Sequence, residues 1–360
     1  MKKIVLTGGG TAGHVTPNIA LLPALYEAGY EVNYIGSKNG MERKLIEELN
    51  VPYYGISSGK LRRSKDPKTL VRNFIDLFRV ARGCFQAERL MRKLKPDIVF
   101  SKGGFVTVPV VWAAHRKKIP TILHESDITP GLANRICIKV AKANKICANF
   151  PETLNHLPAG KAILTGSPIR QELFTGDKYK GLSFCGFTTN KPTILIIGGS
   201  LGSAAINEAV RGVLSQLLEN FNIIHLCGKG KLDTSLCNIE GYVQFEYIKD
   251  ELRDLFALAD LIISRAGANA ICELLALKKP NILIPLSAAQ SRGDQILNAD
   301  SFKKQGFSYV IKEEDVTSAV LLDAVKNVYN SKEQYITAME QSAANNAIPT
   351  IVNLINENAL

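Results

Sequence analysis

The stretch IVLTGGGTAGHVTPNIALL, residues 4–22, places a glycine loop between a short apolar run and a helical pattern. Ile4–Thr7 is typical of a buried parallel strand, and Pro17 suits the first turn of the helix that follows. Three consecutive glycines, Gly8–Gly10, allow a tight turn and leave amide N–H groups for an anion or a sugar. The apolar residues after the loop recur at helical spacing: Val15, Ile19, Leu22 and Leu25.

The same arrangement returns at TILIIGGSLGSAAINEAV, residues 193–210. Thr193–Ile197 is typical of a second buried strand and Gly198–Ser203 of a loop. Ile206, Ala209, Val213 and Leu217 recur at helical spacing and mark the helix that follows. The N-terminus of such a helix carries roughly half a positive charge, which suits a phosphate. One glycine loop is a weak indication of nucleotide binding, and two at equivalent places in two halves are a stronger one.

Short β-rich runs alternate with helical patterns in both halves, which predicts an α/β fold with parallel sheets and right-handed crossovers. We expect two Rossmann-like, doubly wound domains, residues 1–165 and 166–340, with a helix at about 341–360 that packs back on the first. The first series of expected strands is Ile4–Thr7, Val32–Ile35, Ile98–Ser101, Thr121–His124 and Ile146–Ala148. The second series is Thr193–Ile197, Ile223–Leu226, Val243–Tyr247, Leu261–Ser264 and Ile282–Pro285.

Composition restricts the class of protein. The chain has 360 residues, with 46% hydrophobic and 21% charged, which is ordinary for a folded protein of two domains. No apolar run approaches the roughly 20 residues that span a bilayer, and the start is unlike a signal peptide, so a cytosolic protein is expected. The seven scattered cysteines contain no C-x-x-C pair, which argues against a disulfide framework or a zinc site.

The positive charge is concentrated in one stretch. Of the formal net charge of +11, residues 60–95 contribute twelve Lys and Arg against three acids, a net of +9. Such a patch indicates an anionic partner, and since no nucleic-acid recognition motif accompanies it, an anionic membrane surface is favoured over nucleic acid. An apolar helix face ringed by cations fits a membrane, with core packing as the alternative for its aromatics. The face comprises Val71, Phe74, Ile75 and Phe78, and its cations are Lys68, Arg72, Arg79 and Arg82.

A nicotinamide-dependent enzyme is the first alternative function, because similar glycine loops bind dinucleotides. That function calls for an acid at the end of the second strand, to hold the ribose hydroxyls. The strand instead ends Tyr34-Ile35-Gly36-Ser37-Lys38. A third strand–glycine–helix passage, SRAGANAICE at 264–273, contains Glu273, which can either accept two ribose hydroxyls or be a solvated helix residue.

Several motifs occur in the order found in the MurG family, which the chain resembles from residue 3 to about residue 310. They are GGGTAGHVTP, SKGGFVTVP, HESDITPGLANR, TGSPIR, GGSLGS, SRAGANAICE and SRGDQILNA. The resemblance implies a GT-B fold, in which two Rossmann-like domains face a central cleft. It also implies transfer of N-acetylglucosamine from UDP-GlcNAc to lipid I at the membrane, with inversion of the anomeric centre and without a metal or a cofactor.

The resemblance also implies the substrate contacts. Glu273 takes the ribose, Ser200 the diphosphate, and Gln295 the sugar hydroxyls, while Arg170 and the backbone of Ile248 lie beside uracil. The backbone of Ala268, Asn269 and Ala270 lies near the phosphates and sugar, and Thr11, Ala12, Gly13 and His14 form the acceptor-side loop. The chain has Asp294 where the family often has a first glutamine, and Asp127 where it often has asparagine.

Inverting transfer needs a base beside the acceptor hydroxyl and positive charge beside the departing diphosphate. His14 is the first candidate base, because histidine titrates near neutrality, and helix capping is its alternative role. Glu125 and Asp127, in HESD, are the next candidates. No D-x-D motif is present, and Glu313-Glu314-Asp315 is interpreted as a solvated turn, so Arg170 and helix N-termini are expected to offset the leaving-group charge.

Three other functions remain open at this point. Another GT-B transferase would share the donor half and differ in the acceptor loops. A UDP-GlcNAc 2-epimerase of the same fold needs no lipid acceptor. A non-catalytic nucleotide-binding module is the least favoured, because motifs of the family occur in both halves.

Overall fold

The computed structural model describes residues 1–59, 66–141, 143–188, 191–199, 202–289 and 293–360. These residues form two compact units. The first unit contains residues 1–170 and 346–360, and the second contains residues 171–345.

The first unit is built on a seven-stranded, fully parallel sheet. Its strands are β1 (Lys2–Thr7), β2 (Tyr30–Ser37), β3 (Tyr53–Ile56), β4 (Ile98–Ser101), β5 (Thr121–Glu125), β6 (Lys145–Ala148) and β7 (Ala162–Leu164), in the order β3-β2-β1-β4-β5-β6-β7. Its helices up to β6 are α1 (Thr16–Glu27), α2 (Met41–Glu47), α3 (Pro67–Leu94), α4 (Thr107–Arg116) and α5 (Leu132–Ala141). The strand order reverses between β1 and β4, so the loops after these two strands meet at the carboxyl edge of the sheet.

The second unit repeats this plan with a six-stranded parallel sheet. Its strands are β8 (Thr193–Ile197), β9 (Asn222–Leu226), β10 (Tyr242–Phe245), β11 (Leu261–Ser264), β12 (Asn281–Leu283) and β13 (Tyr309–Val310), in the order β10-β9-β8-β11-β12-β13. Its helices are α6 (Lys178–Cys185), α7 (Ala204–Gly212), α8 (Leu214–Leu218), α9 (Leu252–Leu258), α10 (Ala268–Ala276), α11 (Asp294–Lys304), α12 (Ser318–Asn330) and α13 (Lys332–Glu340). The loops after β8 and β11 therefore meet as those after β1 and β4 do.

The last helix, α14 (Ala347–Asn358), belongs to the first unit. Its Ile351 and Ile355 are fully buried in the same apolar cluster as Ile4 of β1. Tyr30 Oη also donates a hydrogen bond of 2.9 Å to Asn356 Oδ1. The C-terminal segment thus completes the core under the first sheet.

The prediction of two doubly wound parallel sheets is confirmed, with differences at the sheet edges. The strands that the sequence did not indicate, β3, β7 and β13, each form the end of a sheet. The helix expected to continue through Leu217 is broken at Val213, where α7 ends and α8 begins. Within the described ranges, no helix combines the length and the apolar character needed to cross a bilayer.

Candidate active site

The first glycine loop, Gly8–Gly10, is packed closely against the protein around it. A Cβ atom on Gly8 would lie 2.3 Å from the carbonyl oxygen of His14, and one on Gly9 would lie 2.5 Å from the Glu42 carboxylate. Gly10, at φ +89°, faces the ring of Phe105. Any Cβ on these three residues would collide with an atom that is already there, so the loop needs glycine for packing as well as for turning.

The loop continues into a short 3-10 turn, Ala12–His14, before α1 begins. Thr11 and Ala12 are exposed, and Gly13 and His14 are half-buried. The main-chain N–H of His14 donates to Thr11 O over 3.1 Å, which closes the turn. The exposed rim of this loop is where the sequence places the acceptor.

Glu42 is a fully buried acid below the first glycine loop that sequence analysis did not single out. Its Oε1 accepts from the Ser37 N–H over 2.9 Å and from the Ser37 hydroxyl, and its Oε2 accepts from the Gly10 N–H over 3.4 Å. The second strand thus does have an acid near its end, but the acid comes from α2 and serves the protein main chain. Because the Glu42 carboxylate already accepts hydrogen bonds from Ser37 and Gly10, it does not replace the ribose-binding acid that a dinucleotide site needs at the end of the second strand.

A second residue that sequence analysis missed is Lys102, in the loop after β4. Its side chain is fully buried, and its Nζ lies 2.7 Å from His124 Nδ1 and 2.6 Å from Ser126 Oγ. His124 Nε2 in turn lies 3.0 Å from the carbonyl oxygen of Gly166. Lys102 was visible in the quoted motif SKGGFVTVP, but only the pairing of β4 with β5 brings it to His124.

His14 lies next to this buried lysine. Burial, followed by the positive charge of Lys102, lowers the pKa of His14 to about 4, against smaller raising effects from the Lys102 main chain and Glu42. Its Nδ1 is buried, with no hydrogen-bond partner among the residues that the structure describes. The imidazole is therefore neutral at physiological pH and has one nitrogen not engaged by those residues.

Glu125 is the last residue of β5 and Asp127 lies in the loop that follows, and their surroundings differ. Glu125 is buried and accepts four hydrogen bonds, from the N–H groups of Ser126, Asp127 and Gly131 and from the Asn134 amide, over 2.9–3.0 Å. Asp127 is half-buried, and its carbonyl accepts from Thr153 Oγ1. This geometry makes Glu125 the anchor of the loop that presents Asp127.

In the second unit the glycine loop borders an open cavity of about 900 Å³. Gly199, at φ +87°, and Gly267, the N-cap of α10, would each place a Cβ in open space. Both line this cavity, together with the start of α7 and the turn 313–314. An anion placed there meets the N-termini of two helices. Ser200, the expected diphosphate contact, lies outside the described residues.

Arg265 and Glu313 form an ion pair on the wall of this cavity, with side chains only 11% and 9% exposed. Arg265 also donates to Ser203 Oγ over 2.7 Å, and Glu313 Oε2 accepts from the Ser287 N–H over 3.0 Å. Burial works to raise the pKa of Glu313, but the hydrogen bonds from Arg265 and Ser287 outweigh it, and the pKa is lowered. The interpretation of Glu313 as part of a solvated turn was therefore wrong, although Glu314 and Asp315 are exposed.

The other expected donor contacts lie in the second unit, apart from Arg170. Among the described residues, Ala270 and Gln295 line the cavity, whereas Ile248, Ala268, Asn269 and Glu273 do not. Ile248 is buried after β10, and Glu273 is half-buried on α10. Gln295 Oε1 accepts from the Leu286 N–H over 3.1 Å, next to Asp294 at the start of α11. Arg170 is half-buried at the end of the first unit.

The aromatic residues of α3 are exposed, which excludes core packing for them. Phe74 and Phe78 are each 63% exposed and pack edge to face, and Ile75 is also exposed. The side chains of Lys68, Val71 and Arg72 lie outside the described part of the chain. Beside this face runs an apolar groove of about 360 Å³, lined by Leu77, Val80, Phe105, Val108, Leu132 and Ile136. Phe105 thus connects the groove to the first glycine loop.

A second cavity that Phe105 also lines is cationic. It measures about 460 Å³ and contains Lys38, Arg79 and Arg82. Arg79 is paired with the buried Asp76 over 2.9 Å, while Arg82 and Lys38 are exposed. The cationic cavity can therefore hold an anionic group beside Phe105, next to the apolar groove.

Comparison with known families covers both units. The N-terminal domain of glycosyltransferase family 28 matches residues 4–146, and the C-terminal domain of the same family matches residues 193–355.

Curated relatives match along their whole length. One from Lachnospira eligens is 64% identical over 359 residues, covering 100% of both chains, and one from Lachnoclostridium phytofermentans is 63% identical over 357 residues, covering 99% of both. Both are UDP-N-acetylglucosamine–N-acetylmuramyl-(pentapeptide) pyrophosphoryl-undecaprenol N-acetylglucosamine transferases. The crystal structure of Acinetobacter baumannii MurG superposes with a TM-score of 0.76 at 28% identity, covering 99% of this chain and 100% of that one.

Proposed function

The chain belongs to the MurG family within glycosyltransferase family 28, and on that premise we propose how its two glycine loops divide the reaction. The protein transfers N-acetylglucosamine from UDP-GlcNAc to lipid I, forming lipid II for peptidoglycan synthesis. The observation that carries the division of labour is the contrast between the open loop at Gly199 and the filled loop at Gly8–Gly10. The open loop takes the donor diphosphate, and the filled one supports the acceptor.

On the donor side, the diphosphate lies in the cavity at the N-termini of α7 and α10, where the backbone of Ala270 contacts it. The backbone of Ala268 and Asn269, just outside the cavity lining, and Ser200 complete the expected contacts. Glu273 holds the ribose, Arg170 and the backbone of Ile248 hold uracil, and Gln295 holds the sugar. Arg265 adds a cation at the cavity wall. Together, Arg265 and the helix N-termini offset the negative charge that develops on UDP as it leaves.

On the acceptor side, His14 is the base. The C4 hydroxyl of the acceptor sugar attacks the anomeric carbon, the bond from that carbon to the UDP oxygen breaks, and the hydroxyl proton passes to the imidazole. His14 suits this role because it is neutral at physiological pH and its Nδ1 has no partner among the described residues. Attack opposite to the leaving group inverts the anomeric centre. Glu125 positions the loop, and Asp127 faces the substrate from it.

The lipid end of the acceptor lies along α3. Phe74 and Phe78 enter an anionic membrane surface, on the cytoplasmic side where UDP-GlcNAc is available, and the apolar groove beside Phe105 takes the first isoprene units. The lipid diphosphate lies at Lys38 and Arg82, next to the glycine loop. Charge complementarity supports this orientation, since the groove is apolar and the neighbouring cavity is cationic.

UDP release from UDP-GlcNAc, measured with and without a lipid I analogue, tests the overall reaction. We expect release that depends on the acceptor and persists in EDTA, since the proposed charge stabilisation uses protein groups alone. Loss of activity in EDTA that Mg²⁺ restores would contradict the metal-independent mechanism. Conversion of UDP-GlcNAc in the absence of acceptor would instead indicate an epimerase.

Two substitutions test the acceptor side and the donor side independently. His14→Ala is expected to lower kcat by about 100-fold or more with little change in the KM for UDP-GlcNAc. Glu273→Ala is expected to raise that KM most. His115→Ala and Glu333→Ala, both at exposed positions, are the matched controls. Near-normal turnover of His14→Ala would remove it as the base, and an unchanged donor KM in Glu273→Ala would remove the ribose contact.

Co-sedimentation with vesicles tests the membrane face. Phe74→Ser/Phe78→Ser should weaken binding to anionic vesicles, whereas Tyr179→Ser, at an 80% exposed aromatic of the second unit, should not. Arg82→Gln should raise the KM for lipid I, and Arg89→Gln, on the same helix but exposed elsewhere, should not. Equal binding of the wild-type protein to neutral and anionic vesicles would contradict the electrostatic part.

A further inference from the structure

Lys102 is a buried cation in the acceptor half for which the proposed mechanism has no role. It follows β4 directly, its side chain is fully buried, and its N–H donates to Thr7 O over 2.9 Å. Its ammonium group reaches His124 in β5 and Ser126 directly after this strand. It therefore ties together the carboxyl ends of the three central strands of the first sheet.

The direction of these hydrogen bonds follows from the chemistry of the groups. The Gly166 carbonyl can only accept, so His124 Nε2 must carry the proton in their 3.0 Å contact. His124 Nδ1 then holds a lone pair and accepts from the Lys102 ammonium at 2.7 Å. The ring is thus fixed in one neutral tautomer, with Lys102 as the hydrogen-bond donor.

Lys102 also lies near His14, because its N–H donates to Thr7 O and an added Cβ on Gly8, the residue after Thr7, would meet the carbonyl oxygen of His14. Three charged or titratable groups face His14 or its neighbourhood: Lys102 from the β4 loop, Glu42 from α2, and His124 from β5. Burial lowers the pKa of His124 well below its ordinary value, and Lys102 lowers it further, so His124 adds no charge of its own. Glu42 opposes Lys102 at His14, and the effect of Lys102 is the larger.

We propose that Lys102 is a positioning residue for glycosyl transfer. It locks His124 in the Nε2-protonated tautomer and places a fixed positive charge beside His14. The inference rests on the proposed role of His14 only for its catalytic consequence. The tautomer and the charge are properties of the free protein, so they can be measured without turnover.

Nuclear magnetic resonance of ¹⁵N- and ¹³C-labelled histidine measures both properties on the whole chain. In the wild-type protein we expect the Nε2-protonated tautomer of His124, and a His14 titration midpoint at about 4. In Lys102→Met the His14 midpoint should rise by about one unit, the size of effect that one nearby charge produces. His225, which is buried in the second unit with a pKa of about 3, is the internal control and should not move.

Lys102→Gln separates the hydrogen bond from the charge, because its amide can still donate to His124 Nδ1. We expect this variant to retain the His124 tautomer and still raise the His14 midpoint. A wild-type His124 protonated on Nδ1, or a His14 midpoint that stays in place when the charge is removed, would overturn the proposal. The wild-type tautomer decides the first part even if neither variant folds.

The pH dependence of kcat/KM for lipid I connects the charge to catalysis. The acidic limb of Lys102→Met should move to higher pH by the same amount as the His14 midpoint. If the midpoint moves and the limb does not, His14 is not the base, which is a failure of the proposed function. The electrostatic effect of Lys102 on His14 would remain supported in that case.

Discussion

The glycine loops of the two units have the same place in the same topology, and their surroundings differ at particular glycines. In the first unit, added Cβ atoms on Gly8 and Gly9 would come within 2.5 Å of protein atoms, whereas Gly199 and Gly267 of the second unit face open space. Both loops follow the first strand of a parallel sheet at the point where the strand order reverses. Gly198 and Gly202 of the second loop are also packed closely, against Ser203 and Cys227, so the difference between the loops lies at Gly199, where a ligand can approach.

The charges around the loops differ in the same way. Below the first loop the cation Lys102 and the acid Glu42 are fully buried and bonded to protein groups. Beside the second loop Arg265 and Glu313 form their pair on the wall of a large cavity. The charged groups below the first loop are enclosed by the protein, whereas those beside the second loop border a cavity that is large enough for a diphosphate.

Arg265→Met is expected to have the largest effect on stability. It leaves the Glu313 carboxylate nearly buried without its cation, which typically costs about 3 kcal/mol or more of unfolding free energy. Arg265→Met/Glu313→Gln should recover most of that loss, whereas the donor KM should be raised in both variants because both lack the cation at the cavity wall. Lys278→Met, which breaks the exposed pair with Glu340, should cost less than about 1 kcal/mol in the same urea titration. Equal losses from the two single variants would show that the Arg265 pair behaves as a surface pair.

Acid should destabilise the first unit more than the second. The pKa values of His14 and His124 in the first unit, and of His225 in the second, lie below 6.5 in the folded state because of burial, with the nearby Lys102 or Arg211 charge adding to it. Above pH 6.5 these histidines are neutral in both states and do not lower the free energy of unfolding. As the pH falls towards 4, the unfolded chain takes up protons that the folded chain does not, so the free energy of unfolding decreases. For His14 this amounts to about 3 kcal/mol at the acid end.

The single tryptophan, Trp112 on α4, makes this measurable in the first unit. Its fluorescence in urea reports the first unit at each pH, and hydrogen exchange of β8 and β11 amides reports the second. His14→Gln should remove part of the acid sensitivity seen by Trp112. Parallel loss of stability in both units would contradict the difference in buried histidines.

Gly8→Ala tests the close packing of the first loop. The new methyl group would sit 2.3 Å from the carbonyl oxygen of His14, and overpacking of this kind costs about 1–3 kcal/mol. Gly131→Ala is the matched control in the same unit, because no atom lies within 4 Å of its added Cβ. The unfolding midpoint followed by Trp112 fluorescence should fall for the first variant and stay in place for the second.

The central strands and both glycine loops could be predicted from the sequence because each is a buried apolar run followed by glycine. The strands β3, β7 and β13 could not, since they lie at sheet edges and most of their residues are partly exposed. An edge strand is covered on fewer sides, so its sequence need not be continuously apolar.

The missed site residues depend on contacts between distant segments. Ser101 pairs with Leu123, so the next residues, Lys102 and His124, emerge side by side from neighbouring strands. Nothing local in either motif gives that register. Glu313 lies in a polar turn, and only its 3-10 geometry aims it at Arg265. The sequence shows which residues are present, but it does not show which of them are in contact.

Gly267→Ala is expected to have the smallest effect on stability and still affect the donor. Gly267 has φ −67°, and its added Cβ would meet no atom within 4 Å. Alanine is a poorer N-cap than glycine, but it also lowers the conformational entropy of the unfolded chain. The two effects oppose each other, so the free energy of unfolding should change by less than about 0.5 kcal/mol. The methyl group would nevertheless enter the space where the proposed diphosphate meets the N-terminus of α10. The donor KM should therefore rise with the unfolding midpoint unchanged, while Gly131→Ala changes neither. An unchanged donor KM would mean that the open space at Gly267 is not where UDP-GlcNAc binds, and the contrast between the loops would then be one of packing alone.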